Sequence, residues 1–139
     1  MAYVFVVDDI AEARDALARF LERSGHEVGV ASDGRDALRS ILRRIPDVVI
    51  LDLFMPEMDG LELLEVLRSY VRLQSLRVLV LTAFPDSALT ESARHLGVGR
   101  VLTKSRATLS DILDAVNAEL AQAFRPPDGA GPSAHLGQW

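Results

Sequence analysis

The chain has 139 residues, about one domain's length, and its 49% apolar content excludes a wholly disordered chain. It holds no Cys, which excludes disulfide scaffolds, thiolate metal sites and Cys nucleophiles. Fifteen Lys+Arg against twenty Asp+Glu leave a net charge of -5, which argues against a nucleic-acid surface.

The N-terminal stretch before Asp8 and Asp9 lacks the basic start and long apolar run of a signal peptide. No apolar run approaches the ~20 residues of a membrane span, so the expectation is a cytoplasmic domain without membrane contact. The first strand is expected at Tyr3–Val7. Ala13, Leu17, Phe20 and Leu21 then follow helical spacing, with Gly25 as the stop. A second strand at Glu27–Ala31 precedes a helix that opens at Ser32-Asp33-Gly34 and carries Ala37, Leu38, Ile41 and Leu42. Val48–Leu51 and Arg77–Leu81 are continuous apolar runs, as strands buried on both faces require. Leu61, Leu64, Val66 and Leu67 mark the helix between them, beginning near Gly60. A short helix follows Phe84-Pro85-Asp86, with Asp86 as candidate N-cap, and ends at Gly97. A fifth strand, Arg100–Leu102, leads to a helix carrying Leu109, Ile112, Leu113, Val116 and Leu120. Thr108 and Asp111 form its candidate capping box.

Five βα units in succession imply an α/β fold, a doubly wound parallel sheet with right-handed crossovers. The domain is expected over residues 1–124, with a flexible Pro/Gly-rich tail over 125–139 that ends in Trp139. His26 and His135 are expected to be solvent-exposed, and His95 to add a favourable charge at a helix end. Arg39, Arg43 and Arg44 make a basic strip on the second helix, suited to solvent or to steering an acidic partner.

Open α/β sheets bind ligands at the C-terminal ends of their strands. There stand Asp8 and Asp9, Asp52, Thr82 and Lys104; only the second strand ends without a reactive group. Clustered carboxylates must protonate or bind a cation, and a hard divalent ion such as Mg²⁺ takes oxygen ligands. Lys104 is the only Lys beside fourteen Arg, and its compact charge suits a phosphoryl oxygen. With no Ser, Cys or His placed as nucleophile, a carboxylate can serve and form an aspartyl phosphate. Singly, each residue has a plainer reading as a helix cap or turn residue; the coincidence at four strand ends does not.

The stretches Val6-Val7-Asp8-Asp9, Pro46–Asp52, Met55–Gly60, Leu81-Thr82-Ala83 and Leu102-Thr103-Lys104 resemble the receiver domain of bacterial two-component response regulators, over residues 3 to 123. The resemblance implies a flavodoxin-like (βα)5 sheet with strand order 2-1-3-4-5. It implies Asp52 as phospho-acceptor, and Asp9, Asp8, Asp52 and the Phe54 backbone oxygen around Mg²⁺. Thr82, the Ala83 N–H and Lys104 would hold the phosphoryl oxygens. The implied donor is a sensor histidine kinase or a His phosphotransfer protein, and the output is contact with a downstream protein or a homodimer partner. Met55, Pro56, Asp59 and Gly60 are assigned a structural role: Pro56 stiffens the loop and Gly60 permits the turn into the helix.

The chain departs from the family pattern at three places. Val101 stands where an aromatic residue commonly switches with Thr82. Ser105 replaces a Pro, so a trans bond is expected there, and Arg106 occupies a position usually apolar. Phe54 and Phe84 flank the path of hydrolytic water, so a long-lived phosphoryl group is expected. The competing readings are an independent phosphohydrolase, a phosphorylation-independent scaffold, and a fragment of a longer regulator with a DNA-binding output domain. The first normally needs an acid at the position of Phe54.

Overall fold

A computed structural model describes residues 2–122. Five parallel strands form one sheet in the order β2-β1-β3-β4-β5. The strands are β1 (Tyr3–Val7), β2 (Glu27–Ala31), β3 (Val48–Leu51), β4 (Arg77–Thr82) and β5 (Arg100–Thr103). The helices are α1 (Ala11–Arg23), α2 (Gly34–Arg43), α3 (Gly60–Ser69), α4 (Ala88–Arg94) and α5 (Leu109–Ala121), with a 3-10 turn at Val71–Leu73. The 125–139 segment assigned as a tail, with His135 and Trp139, lies outside the described residues, as does the domain end at 124.

The unbroken apolar runs follow from a sheet covered on both sides. Alternate residues of β1, β3 and β4 point to opposite faces, and both faces are core. Phe5, Val7, Val49, Leu51, Val78 and Val80 pack against α2, α3 and α4 through Ile41, Leu63, Leu64, Leu67 and Ala93. Val4, Val6, Val48, Ile50, Leu79 and Leu81 pack against α1 and α5 through Leu17, Leu21, Ile112, Ala115 and Val116.

Local chemistry sets the helix starts. Asp33 caps α2 by accepting from the Asp36 N–H at 2.9 Å. Asp59 with Glu62, and Thr108 with Asp111, form reciprocal capping boxes on α3 and α5. The cap of α4 is Ser87, not Asp86: the Ser87 hydroxyl accepts from the Thr90 N–H at 3.1 Å. A one-residue shift between two good capping residues is decided by the preceding turn, where Ser87 N–H donates to the Phe84 carbonyl. That helix ends at Arg94, with Gly97 beyond it at φ 77°.

Several other expectations change. His26 is half-buried: its ring nitrogens meet the Ala2 N–H at 3.3 Å and Asn117 at 3.2 Å. Ala13 of α1 faces solvent, and Leu63, outside the stripe expected for α3, is fully buried there. Arg44 ends α2 and leaves the basic strip, since its guanidinium meets both Glu27 carboxylate oxygens at 2.5 and 2.7 Å. Gly60 is required by close approach rather than by an unusual turn. A Cβ there would sit 2.5 Å from the Asp52 carbonyl oxygen and 2.6 Å from the Leu53 Cα. Gly60 therefore lets α3 start directly against the chain that carries Asp52.

Candidate functional site

Strand register builds the site. Val7 pairs with Leu51, and the ladder continues one step as Asp52 N–H donates to the Val7 carbonyl at 3.0 Å. Asp8 and Asp52 thus leave neighbouring strand ends side by side. Leu51 pairs with Val80, so β4 reaches the same edge two residues later with Thr82. Thr82 pairs with Thr103, and the Lys104 N–H donates to the Thr82 carbonyl at 2.8 Å. Four strand ends deliver their polar side chains to one edge.

The geometry is that of three carboxylates and one ammonium. Carboxylate oxygens of Asp8, Asp9 and Asp52 all lie within 4.8 Å of one another. Asp8 and Asp52 are each only 4% exposed, whereas Asp9 faces solvent. The Lys104 Nζ lies 2.9 Å from Asp8 Oδ2 and 3.3 Å from Asp52 Oδ2. Burial outweighs this ion pair at Asp52 and pushes its carboxyl above the ordinary value; the Asp8 charge adds to the rise, while Phe54 N–H and Lys104 oppose it. Burial alone would lower Lys104, but the facing carboxylates prevail and hold its ammonium above the ordinary value.

Backbone donors aim the two central side chains. The Phe54 N–H donates to Asp52 Oδ1 at 3.1 Å, and the Phe84 N–H donates to Thr82 Oγ1 at 3.0 Å. Thr82 is wholly buried, and because its oxygen accepts from the backbone, its O–H hydrogen is left to donate elsewhere. Asp8 is likewise a turn residue, since its Oδ1 accepts from the Ile10 N–H at 2.9 Å. The cap of α1 is Ile10, so neither Asp8 nor Asp9 is the N-cap of that helix. The turn roles and the clustering coexist.

The structure brings Asp8, Asp9, Asp52 and Lys104 together and places Thr82 and Ala83 at the adjoining strand end. The rings of Phe54 and Phe84 meet edge to face with centroids 4.9 Å apart, both exposed at the same rim. Val101 stands apart from this edge and packs against the α2–α4 side of the core. The Lys104–Ser105 bond is trans, as no described peptide is cis. Arg106 is exposed and lines a cleft with Asp111 and Asp114.

The three carboxylates suit a hard divalent cation, which takes oxygen ligands and offsets the charge that Lys104 leaves unmatched. Beside them runs an apolar groove of about 480 Å³ between α1 and α5. Its walls include Ile10, Leu17, Leu109 and Ile112, and Asp8 and Lys104 close one end. Ile10 and Leu109 are 49% and 39% exposed. The sequence pattern placed Leu109 only on the apolar stripe of the fifth helix and gave Ile10 no role, although an apolar residue directly after the Asp pair was a visible signal. Arg14 was also missed; its Nη1 donates to the Asp8 carbonyl at 3.2 Å.

The response regulator receiver domain matches residues 4–117 of this chain. The chain is 40% identical over 133 residues to response regulator MprA of Mycolicibacterium vanbaalenii, covering 96% of this chain and 56% of that protein. It is 39% identical over 129 residues to a protein-glutamate methylesterase/protein-glutamine glutaminase of Myxococcus xanthus, covering 91% of this chain and 37% of that protein. The chain thus spans about half the length, or less, of the first curated relatives it matches. Among solved structures, it is 29% identical to the Vibrio cholerae chemotaxis protein CheY4, with a TM-score of 0.79 over 85% of this chain and 98% of that one. A Francisella response regulator receiver domain gives 30% identity and a TM-score of 0.76 over 86% and 97% of the two chains.

Proposed function

The chain belongs to the response regulator receiver domain family, and we propose on that footing that it takes a phosphoryl group from a partner phosphohistidine onto Asp52. The observation that carries this reading is one acid cluster bridged by the chain's only Lys, with Lys104 Nζ between Asp8 and Asp52. Receiver domains are signalling modules, and none of the described helices is long and apolar enough to cross a membrane. The proposed setting is the cytoplasm.

The chemistry is an in-line displacement. An Asp52 carboxylate oxygen attacks phosphorus, the P–N bond to the donor imidazole breaks, and the imidazole leaves as its neutral ring once a proton is shared with it. Asp52 is held for this by the Phe54 N–H on one oxygen, which fixes the carboxylate plane. Lys104 moves its partner from the carboxylates to a phosphoryl oxygen as charge develops there. The Thr82 hydroxyl and the Ala83 N–H donate to the remaining oxygens. Asp8, Asp9, Asp52 and the Phe54 carbonyl would hold Mg²⁺, which would supply positive charge beside the phosphoryl oxygens. The mechanism modifies only the chain itself, so it is a signalling event rather than turnover of a substrate.

A protein donor is supported by the apolar groove that ends at Asp8 and Lys104. A helix laid along Ile10 and Leu109 brings a projecting imidazole to Asp52. Output follows as altered contact with a downstream protein. The Thr82 half of the family switch is present, whereas Val101 is too small and stiff to swing with it. The loop and helix after Thr82 are therefore the proposed moving parts. They are tied to the site through Thr90, whose hydroxyl donates to the Phe84 carbonyl at 2.8 Å.

The groove separates protein donors from small ones. Ile10→Glu should slow phosphoryl transfer from a phosphohistidine protein by tenfold or more (roughly 1.4 kcal/mol), while acetyl phosphate still labels Asp52 at the wild-type rate. Equal slowing with both donors would place the defect in the acid site and remove the docking role.

A further inference from the structure

The second strand ends without a group that the acceptor site uses, yet a cavity of about 380 Å³ opens at its C-terminal end. Val30, Ala31 and Ser32 form the floor, and Arg14 of α1 faces Asp36, Arg39, Ser40 and Arg43 of α2. Three guanidiniums against Asp36 in the lining and Asp15 beside Arg14 leave the cavity positive on a chain of net charge -5. Arg44, next in sequence, takes no part: its charge is spent on Glu27 and its guanidinium stacks 3.8 Å over the Tyr3 ring.

The guanidiniums differ in how they are held. Arg14 is fixed, with its side chain 16% exposed, its Nε 3.3 Å from Asp15 Oδ1 and its Nη1 on the Asp8 carbonyl. A guanidinium carries five N–H donors, so this anchoring leaves donors to spare. Arg39 pairs with Asp36 at 2.9 Å, but both are more than half exposed, and such a pair exchanges readily for a better anion. Arg43 makes no ion pair among the described residues. Ser32 and Ser40 add hydroxyl donors. Beneath them Val30, on an edge strand, leaves its apolar side chain 44% exposed.

This combination has a chemical meaning. Forked donors match the oxygens of a phosphate, and a volume of this size holds a nucleotide-sized molecule. The exposed valine supplies an apolar rest for an organic body. We infer that the α1–β2–α2 cavity is a binding site for a small soluble organic phosphate, separate from the acceptor site. The negative charge of the whole chain opposes adsorption to an anionic bilayer and favours a free ligand over a lipid headgroup.

The test is a titration of the isotopically labelled full chain with adenosine 5′-monophosphate in magnesium-free buffer, followed by amide NMR shifts. The expected result is saturable shifts at Val30, Ser32 and Ser40. The Arg39→Ala/Arg43→Ala double substitution should weaken binding about tenfold or more, with an unchanged circular dichroism spectrum. Raising the salt concentration on the wild type should weaken binding too, and this arm needs no variant. Shifts that do not saturate overturn the site, as do shifts centred on Asp52, Thr82 and Lys104. Affinity that ignores both salt and the double substitution overturns it equally.

Discussion

Asp52 is held in its ionised form at a loss. Its carboxyl is buried, and burial outweighs both the Phe54 N–H and the Lys104 ammonium. A carboxyl whose folded value exceeds its unfolded one weakens folding once both are ionised, and the loss disappears as pH falls below the unfolded value. Asp52→Asn should therefore raise stability at neutral pH, read as a higher melting temperature. The gain should vanish near pH 3, and thermal melts of both proteins across pH measure it. A destabilised Asp52→Asn would mean that the pairing with Lys104 dominates instead. The same residue scale holds the two Phe rings. They meet edge to face over the site rim, beside Asp52 and Thr82. Phe54→Asn or Phe84→Asn should shorten the lifetime of phospho-Asp52 by about tenfold, less than the ~10²–10⁴-fold of a positioned general acid or base. Decay measured by mass after donor removal would be unchanged if the rings merely pack on the surface.

Elements succeed or fail in this chain by how they are tied, and one tie was invisible beforehand. Arg68 lies in the α3 run of leucines and is only 8% exposed. Its guanidinium donates to the carbonyls of Leu96 at 2.8 Å, Gly97 at 3.2 Å, Leu73 at 3.1 Å and Leu76 at 2.8 Å. Burial lowers it to about 10, still charged at neutral pH. It thereby joins the entry of β4 to the end of α4. Arg68→Met keeps the volume but strands these carbonyls, and should destabilise by about 2–3 kcal/mol, read from denaturant midpoints. A neutral result would show that water replaces the guanidinium. No periodicity rule predicts a buried Arg, because its partners are carbonyls from segments distant in sequence. The central strands β1, β3 and β4, by contrast, were legible in the sequence, since each alternates between two apolar faces and leaves an unbroken run. Their last residues were less so: Thr82 and Thr103 extend β4 and β5 because they pair with each other, a fact of register. The Ser87 cap and the half-buried His26 depended on neighbours in space for the same reason.

At the scale of the whole molecule, the topology decides where chemistry collects. With β1 and β3 adjacent and β4 next, Asp8, Asp52 and Thr82 share one edge, though 44 residues separate the first two in sequence. The polar identity of those residues was legible in the chain, and so was their position at strand ends. The ammonium bridging two carboxylates, the paired Phe rings and the groove lined by Ile10 and Leu109 were not, because each joins separate βα units. The central claim is that this edge accepts a phosphoryl group at Asp52. The most direct measurement is intact mass after incubation with acetyl phosphate, with and without Mg²⁺, for wild type and Asp52→Asn. The account predicts a single Mg²⁺-dependent phosphoryl adduct on the wild type and none on Asp52→Asn. An adduct that persists in Asp52→Asn, or no adduct on the wild type in the presence of Mg²⁺, would contradict it.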